Sequence, residues 1–201
     1  MVNYMLLICA DLENLTNLEP EGGCDNPNFS YFFKVKCGRC GEVSQKETCV
    51  TLNEVVPLSQ GKGTTNLVQK CKFCGREGTV TMISGRGKPL TQEDSESGKY
   101  CPMMLFDCRG YEPVDYIFGG GWKVESVGFH FLSFHFVIQH EALYIFLSRI
   151  ECGCKGYGAI QIAGTKYEAV DLSGGDFAEY DEKGECPVMI SNLRSKFDVV
   201  K

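Results

Sequence analysis

The sequence is short of basic charge and lacks the motifs of common enzyme classes. Its 201 residues carry 20 Lys and Arg against 26 Asp and Glu, a formal net charge of −6. Because a phosphate backbone is bound by clustered basic side chains, this balance argues against nucleic acid as a partner. The sequence also contains no G-x-S-x-G, P-loop or dinucleotide-binding fingerprint. We therefore expect a protein that is not an enzyme and does not bind nucleic acid.

The N-terminus lacks the features of a secretion signal. Residues 1–10 read MVNYMLLICA, with no basic residue before a short apolar run, and Asp11 and Glu13 follow. We therefore expect a cytoplasmic protein. In that compartment, closely spaced cysteine pairs are more often metal ligands or redox sites than structural disulfides. The 12 cysteines of the chain are interpreted on this basis.

The sequence also lacks the pattern of long amphipathic helices, and it predicts short β-strands instead. Stretches rich in β-branched and aromatic residues alternate with Gly, Asn, Asp and Pro turn signals. This pattern predicts strands at residues 29–36, 47–52, 64–70, 79–83, 103–108, 114–118 and 122–125. Residues 93–99 (EDSESGK) predict a solvated loop between a zinc-bearing region at 1–92 and a second region at 100–201. The expected fold is mostly β, with two small barrel-like or sandwich-like lobes.

Four cysteines have the spacing of a zinc site. Cys37 and Cys40 form one C-x-x-C pair, Cys71 and Cys74 form another after 30 intervening residues, and a glycine follows each pair. Two residues between the cysteines allow a tight turn to present both sulfurs to one ion, and two such knuckles complete a tetrahedral structural zinc site. Five basic residues beside the pairs can offset the formal negative charge of zinc on four thiolates: Lys36, Arg39, Lys70, Lys72 and Arg76. We predict one structural Zn²⁺ on the four cysteines.

The same pairs allow a second interpretation, a thiol oxidoreductase that uses Cys37 and Cys40 or Cys71 and Cys74. A redox C-x-x-C motif commonly lies on the first turn of a helix, which lowers the pKa of the thiol. Here a glycine and predicted strands follow each pair, so the structural zinc interpretation is preferred. Four thiolates leave no open ligand position, and the metal is expected to contribute folding free energy rather than catalysis. The leading hypothesis is a non-enzymatic scaffold that binds a protein partner.

Several motifs in series resemble a known family. Besides the cysteine pairs they are FDCRGYEP (106–113), GGWKVES (120–126), GTKYEAVDLS (164–173) and EYDEKGECPVMISNLRSKF (179–197). Together they are similar to the eukaryotic CXXC-motif-containing zinc-binding proteins, formerly an uncharacterised family. The residues of these motifs resemble those of plant members. The resemblance implies a mostly β fold of two related lobes with one zinc on the four cysteines. It also implies a link to copper or zinc homeostasis, with a copper chaperone or another metal-binding domain as partner.

The chain departs from this family at residues 127–163. In the family WKVES runs almost directly into GTKYEAVDLS, whereas here 37 residues intervene and only four of them are charged. They are rich in Phe, Leu, Ile, Ser and Val, whose codons are T-rich, and the flanking motifs stay in frame. We interpret the segment as a retained intron or a gene-model artefact, of uncertain structure, with a helix as one option. In its absence, residues 122–125 and 166–170 would be joined as a short hairpin in one lobe.

The inserted segment contains three further candidate features, and we expect none of them to be functional. His130, His135 and His140 are spaced by five, which fits neither one helical face nor one strand face, so no metal site is expected. Residues 127–150 are long enough for a membrane span, but they contain these histidines and two charged residues, whose burial in lipid is costly. Cys152 and Cys154 offer a soft ligand pair for Cu(I) but belong to the same inserted segment.

Six cysteines remain that have no ligand-like spacing. They are Cys9, Cys24, Cys49, Cys101, Cys108 and Cys186. Because free cysteine behaves as a small hydrophobic residue, we expect most of them to be buried in the core.

Overall fold

A computed structural model describes residues 2–59, 62–128 and 162–200, and these residues form antiparallel β-strands. The first eight strands are β1 (Val2–Glu13), β2 (Leu15–Pro20), β3 (Tyr31–Cys37), β4 (Thr48–Val50), β5 (Val56–Pro57), β6 (Thr64–Thr65), β7 (Leu67–Lys70) and β8 (Glu77–Ile83). After the short helix α1 (Gln92–Glu96) come β9 (Cys101–Arg109), β10 (Tyr111–Ile117), β11 (Trp122–Gly128), β12 (Ile162–Val170), β13 (Phe177–Asp181) and β14 (Cys186–Val200). The prediction of a mostly β fold is confirmed, and all seven predicted strand segments contain strand.

The largest sheet has six strands in the order β13-β14-β1-β9-β8-β7. Its centre is β1, which pairs with β14 from Asn3 to Glu13 and with β9 from Val2 to Ile8. Leu6, Ile8 and Ala10 of β1 are fully buried. The sheet combines strands from both predicted regions, since β1, β7 and β8 belong to 1–92 and the other three belong to 100–201.

Three smaller sheets complete the fold, in the orders β10-β3-β4, β12-β11-β2 and β5-β6. An aromatic core, made of the rings of Tyr31, Phe33, Phe106 and Phe197, joins β3 to two strands of the large sheet. The Phe33 ring centroid lies 5.2 Å from that of Phe106 and 5.5 Å from that of Phe197. Tyr31 contacts Phe106 edge-on at 5.9 Å. One continuous hydrophobic core therefore connects the sheets.

Strands β11 and β12 form an antiparallel pair that brackets the inserted segment. The pairing runs from Trp122 opposite Val170 to Gly128 opposite Ile162. This confirms that residues 122–125 and 166–170 belong together, and it shows that the first two and last two residues of 127–163 are strand residues. The rest of that segment, with its histidines, Cys152, Cys154 and the option of a helix, lies outside the described residues. In the part of the chain that the structure describes, no helix is long and apolar enough to span a membrane.

The predicted solvated loop at residues 93–99 is wrong over its first half, where α1 packs against β1. The Thr91 hydroxyl accepts a hydrogen bond from the Asp94 N–H and caps the helix. Ser95 is buried, and its Oγ donates to the Ala10 carbonyl (2.8 Å) and accepts from the Leu12 N–H (2.9 Å). The charged residues of this stretch predicted a loop, but the Thr91 cap and the hydrogen bonds of Ser95 to β1 stabilise a helix there.

Candidate metal centre

The alternation of β-strands directs two of the four candidate ligands inward. On β3 the buried residues recur with period two, so Cys37 shares one face with Tyr31, Phe33 and Val35. Cys71 follows the end of β7 and is also buried, whereas Cys74 is half-buried and Cys40 is exposed. The first cysteine of each pair is therefore anchored in the core and the second lies at the surface.

The two knuckles, residues 37–42 and 71–76, have the same hydrogen-bonded turn. The Gly41 N–H donates to the Cys37 carbonyl and the Gly75 N–H donates to the Cys71 carbonyl, both at 2.9 Å. Both glycines have left-handed φ angles, +77° and +69°, which residues with a Cβ rarely adopt. The glycine after each pair is thus required by the turn that brings the two sulfurs together.

The four sulfur atoms form a compact cluster. All lie within 4.8 Å of one another, with Sγ separations of 3.7 Å between Cys37 and Cys74 and 3.6 Å between Cys40 and Cys71. A tetrahedral zinc with Zn–S bonds of about 2.3 Å requires sulfurs about 3.8 Å apart. A disulfide would place them about 2.05 Å apart. The donor set and its spacing therefore fit a four-thiolate zinc ion.

Backbone amides stabilise thiolates at the first cysteine of each knuckle. The N–H groups of Cys40 and Arg39 lower the pKa of Cys37 to about 6. The N–H of Cys74, together with that of Phe73 and against the effect of burial, lowers the pKa of Cys71. At Cys40 the Glu42 N–H also favours the thiolate, but burial and the neighbouring thiols outweigh it and raise the pKa to about 12. Thiolates this close repel one another, so a divalent cation is needed for all four to be charged.

Contacts from the turn between β9 and β10 hold the knuckles in place. The Gly38 N–H donates to the Gly110 carbonyl (3.0 Å), and the Tyr111 hydroxyl donates to the Gln69 carbonyl (3.3 Å). Gly78 lies directly under the Tyr111 ring, where an added Cβ would come within 2.3 Å of a ring carbon. Sequence reasoning missed these three braces because only the fold brings residues 110–111 to the knuckles.

The five cations predicted to offset the charge of the site fall into two groups. Lys36 lies 3.5 Å from Glu112 and Lys70 lies 3.9 Å from Glu77, in exposed ion pairs of small energetic value. Among the described residues, no carboxylate lies within ion-pair distance of Arg39, Lys72 or Arg76. Part of the positive charge around the knuckles is therefore left without an acidic partner.

The remaining described cysteines do not join the cluster. Cys9, Cys24, Cys101 and Cys108 are buried as predicted, and burial raises the pKa of Cys24 and Cys108 to about 12. Cys49 is exposed and Cys186 is half-buried, so these two are the exceptions. None of the ten described cysteines forms a disulfide, and the four-sulfur group is the metal-ligand cluster found among the described residues.

Comparison with known proteins identifies the family. The family model of the eukaryotic CXXC motif containing zinc binding protein matches residues 5–135 and 151–198. The chain belongs to this family. The CXXC motif containing zinc binding proteins of Xenopus laevis and Homo sapiens are each 32% identical to it over 197 residues, covering 98% of both chains. The match is interrupted at residues 136–150, which lie inside the inserted segment, and the retained-intron interpretation stays a prediction.

Solved structures of similar proteins have the same fold. The structure of C1orf123 superposes with a TM-score of 0.72 at 30% identity, covering 98% of this chain and 99% of that one. A hypothetical protein from Plasmodium falciparum superposes with a TM-score of 0.68 at 17% identity, covering 98% and 100%, which supports the fold alone. The chain is thus a zinc-binding protein, and its four-cysteine cluster suits one structural Zn²⁺.

Proposed function

We propose that this protein is a non-enzymatic cytoplasmic scaffold in which zinc holds together a surface that a protein partner binds. The observation that carries the proposal is the compact set of four sulfurs, which lie within 4.8 Å of one another. Four thiolates fill the coordination shell of zinc and leave no position for water or substrate. The free energy of zinc binding would then serve to order the knuckles.

We further propose that the partner is a copper chaperone or another metal-binding domain, and that the protein serves copper or zinc homeostasis. The support is the resemblance of the motifs to the family, together with the thiolate-rich character of the site. Soft sulfur ligands suit Cu(I) and Zn²⁺, and Cys40 is exposed at the surface where a partner can approach.

A thiol oxidoreductase is the alternative, and one observation favours it. Backbone hydrogen bonds lower the pKa of Cys37 to about 6, which is a property of reactive thiols. Two observations weigh against it. Cys37 is only 1% exposed, and a β-strand rather than a helix adjoins each knuckle in the described chain.

The two functions are distinguished by the chain purified without added metal. The scaffold hypothesis predicts one zinc per chain by elemental analysis, knuckle thiols protected from a thiol reagent in the native state, and no reduction of insulin disulfides by dithiothreitol beyond the uncatalysed rate. Rapid labelling of Cys37 with turnover of insulin would favour the oxidoreductase instead. Calorimetric titration with a purified copper-chaperone metal-binding domain tests the partner, and absence of binding would contradict that assignment.

A further inference from the structure

A groove opens beside the metal cluster between two parts of the fold that are not paired with each other. Its volume is about 460 Å³. One side is lined by residues 42–49, and the other by Leu67, Gln69 and the second knuckle. Val35 and Tyr111, both buried, also line it. The groove thus shares Cys71 with the zinc site and depends on the same knuckle for its shape.

Edge strands form both walls of this groove. In the described chain β4 pairs with β3 alone and β7 pairs with β8 alone, so each strand has one unpaired backbone edge. A side-chain hydrogen bond from Thr48 Oγ1 to Gln69 Oε1 (3.0 Å) crosses between them. Unpaired strand edges bind extended peptides through main-chain hydrogen bonds. The occupant suited to these walls is an extended segment.

The groove also exposes apolar side chains. Phe73, at the tip of the second knuckle, is 78% exposed, the largest value among the exposed large hydrophobic residues of the described chain. Val43 lines the opposite side and is 39% exposed. Isolated exposed hydrophobic residues are common, but two that line one groove indicate an interaction site. An apolar side chain of the occupant would fit between them.

The stretch of chain that supplies almost the whole groove lining is opposite in net charge to the chain as a whole. Residues 34–77 contain eight Lys and Arg and four Asp and Glu, a net charge of +4 in a chain of −6. The formal charge of zinc on four thiolates, about −2, leaves this region positive. In the groove lining Glu42 and Glu47 balance Lys46 and Lys72. The excess of this stretch lies outside the lining and includes three cations that have no carboxylate partner among the described residues: Lys34, Arg39 and Arg76.

We propose that this groove binds an extended segment of a partner protein that is apolar in its centre and acidic at its ends. The backbone of the segment pairs with an edge of β4 or β7. An apolar side chain packs between Val43 and Phe73, and the flanking carboxylates face Lys46 and Lys72, which line the groove. The inference rests on the proposed scaffold function and assigns that function a contact surface.

The test is selection of random 12-residue peptides displayed on phage against the full zinc-loaded chain, followed by fluorescence anisotropy with the selected peptides. We expect sequences with an apolar centre and Asp or Glu at the ends. Phe73→Ser should weaken their binding roughly tenfold or more, because buried aromatic anchors dominate interface energetics. The double variant Lys46→Glu/Lys72→Glu should weaken it as well, and added salt should reduce the affinity of the wild-type chain.

Matched controls lie on the β13–β14 hairpin, away from the groove. Tyr180 is 58% exposed and Lys183 is exposed, so Tyr180→Ser and Lys183→Glu should leave peptide binding unchanged. Failure to select any peptide, selection of basic peptides, or equal binding to the Phe73→Ser chain would overturn the proposal. If a copper-chaperone domain binds the wild type and Phe73→Ser equally, the groove assignment is wrong while the scaffold function stands. If that domain and all peptides fail to bind the wild type, both are wrong.

Discussion

The knuckles and the aromatic core keep their shapes by different means. In the core, Tyr31, Phe33 and Phe106 are fully buried, and Tyr31 and Phe33 each contact Phe106 edge-on, so removal of apolar surface from water stabilises it. The knuckles bury little besides Cys37 and Cys71, and their turns depend on glycines in left-handed conformations. A surface turn of this kind cannot be stabilised by burial, and a metal ion supplies the missing free energy.

Strand β3 connects the two parts. Its alternation places Tyr31, Phe33 and Cys37 on one face, so the strand that supplies rings to the core also supplies the first zinc ligand. Two effects can therefore be measured: how far loss of zinc lowers the stability of the core, and how far a cavity in the core lowers the zinc content.

The largest effect is expected from Cys37→Ser. Structural zinc contributes on the order of 10 kcal/mol of apparent binding free energy, and a whole domain is stable by about 5–15 kcal/mol. We therefore expect loss of zinc together with loss of cooperative folding, measured by elemental analysis and thermal unfolding. Cys49→Ser, at an exposed cysteine outside the cluster, is the control and should retain both. An unchanged melting temperature for Cys37→Ser would show that the metal does not stabilise the fold.

Phe106→Ala tests the aromatic core. Its ring is fully buried against Tyr31, Phe33 and Phe197, so the free energy of unfolding should fall by about 3–5 kcal/mol. The zinc content of the folded protein should stay at one per chain. Phe73→Ala removes an equal ring from an exposed site and should change stability by less than about 0.5 kcal/mol. Loss of zinc from a Phe106→Ala chain that remains folded would mean that the two parts are not separable.

Asp181 lies in a third part of the fold, which is held together by hydrogen bonds to a buried carboxylate rather than by metal or aromatic rings. Burial opposes its charge, but hydrogen bonds from Ser126, Thr165 and the backbone outweigh this effect and lower its pKa. The Thr165 hydroxyl donates to it at 2.7 Å. Because the pKa is lower in the folded state, Asp181 stabilises the fold at neutral pH, and this contribution is lost as the pH falls below about 4.

Asp181→Asn should therefore reduce the free energy of unfolding at pH 7 by about 1–3 kcal/mol. The difference from the wild type should shrink at pH 3.5, and urea unfolding at the two pH values measures it. Glu182→Gln, at the exposed neighbouring carboxylate, should have little effect at either pH. A difference of the same size at both pH values would show that the charge is not what stabilises the fold.

A deletion tests whether the β11–β12 hairpin belongs to the core independently of the inserted segment. Gly128 lies opposite Ile162, so Asn-Gly can replace residues 129–161 as a two-residue hairpin turn. Loop closure costs about 0.6 kcal/mol for each doubling of length, and the change from 33 residues to two is about four halvings, so stability should rise by about 2.4 kcal/mol. Zinc binding should be kept, and association, measured by size-exclusion chromatography, should decrease because a phenylalanine-rich sequence is removed. Unfolding of the deletion variant would refute the retained-intron interpretation.

The smallest effect is expected from Gly75→Ala. An added Cβ would meet no atom within 4 Å, so the cost is the left-handed backbone alone, about 1–2 kcal/mol. The melting temperature of the zinc-loaded protein should fall by a few degrees while zinc stoichiometry is kept. Gly119→Ala has equal space and no left-handed φ, and it should not lower the melting temperature. Equal shifts in both variants would remove the argument that the knuckle turn requires glycine.

Residue types and spacing were sufficient to predict the local features of this protein. Strand formation needs only β-branched and aromatic residues between turn signals, and a zinc knuckle needs only two cysteines and a glycine within five residues. The predicted strands and the cluster of Cys37, Cys40, Cys71 and Cys74 rest on such patterns, whereas the pairing of residues 122–125 with 166–170 was expected from the resemblance to the family. The position of β1 was missed because its central apolar run shows no alternation, as expected for a strand covered on both faces.

Contacts between residues far apart in the chain were decided by tertiary structure alone. Ser95 and Asp181 have polar surroundings in the sequence, yet both are buried because distant strands supply their hydrogen-bond partners. The groove beside the zinc cluster exists only because β4 and β7 end their sheets next to each other. The chain by itself thus determined which ligands are available for the metal. Which side chains brace that site, and which surface it presents, followed from packing that no local pattern encodes.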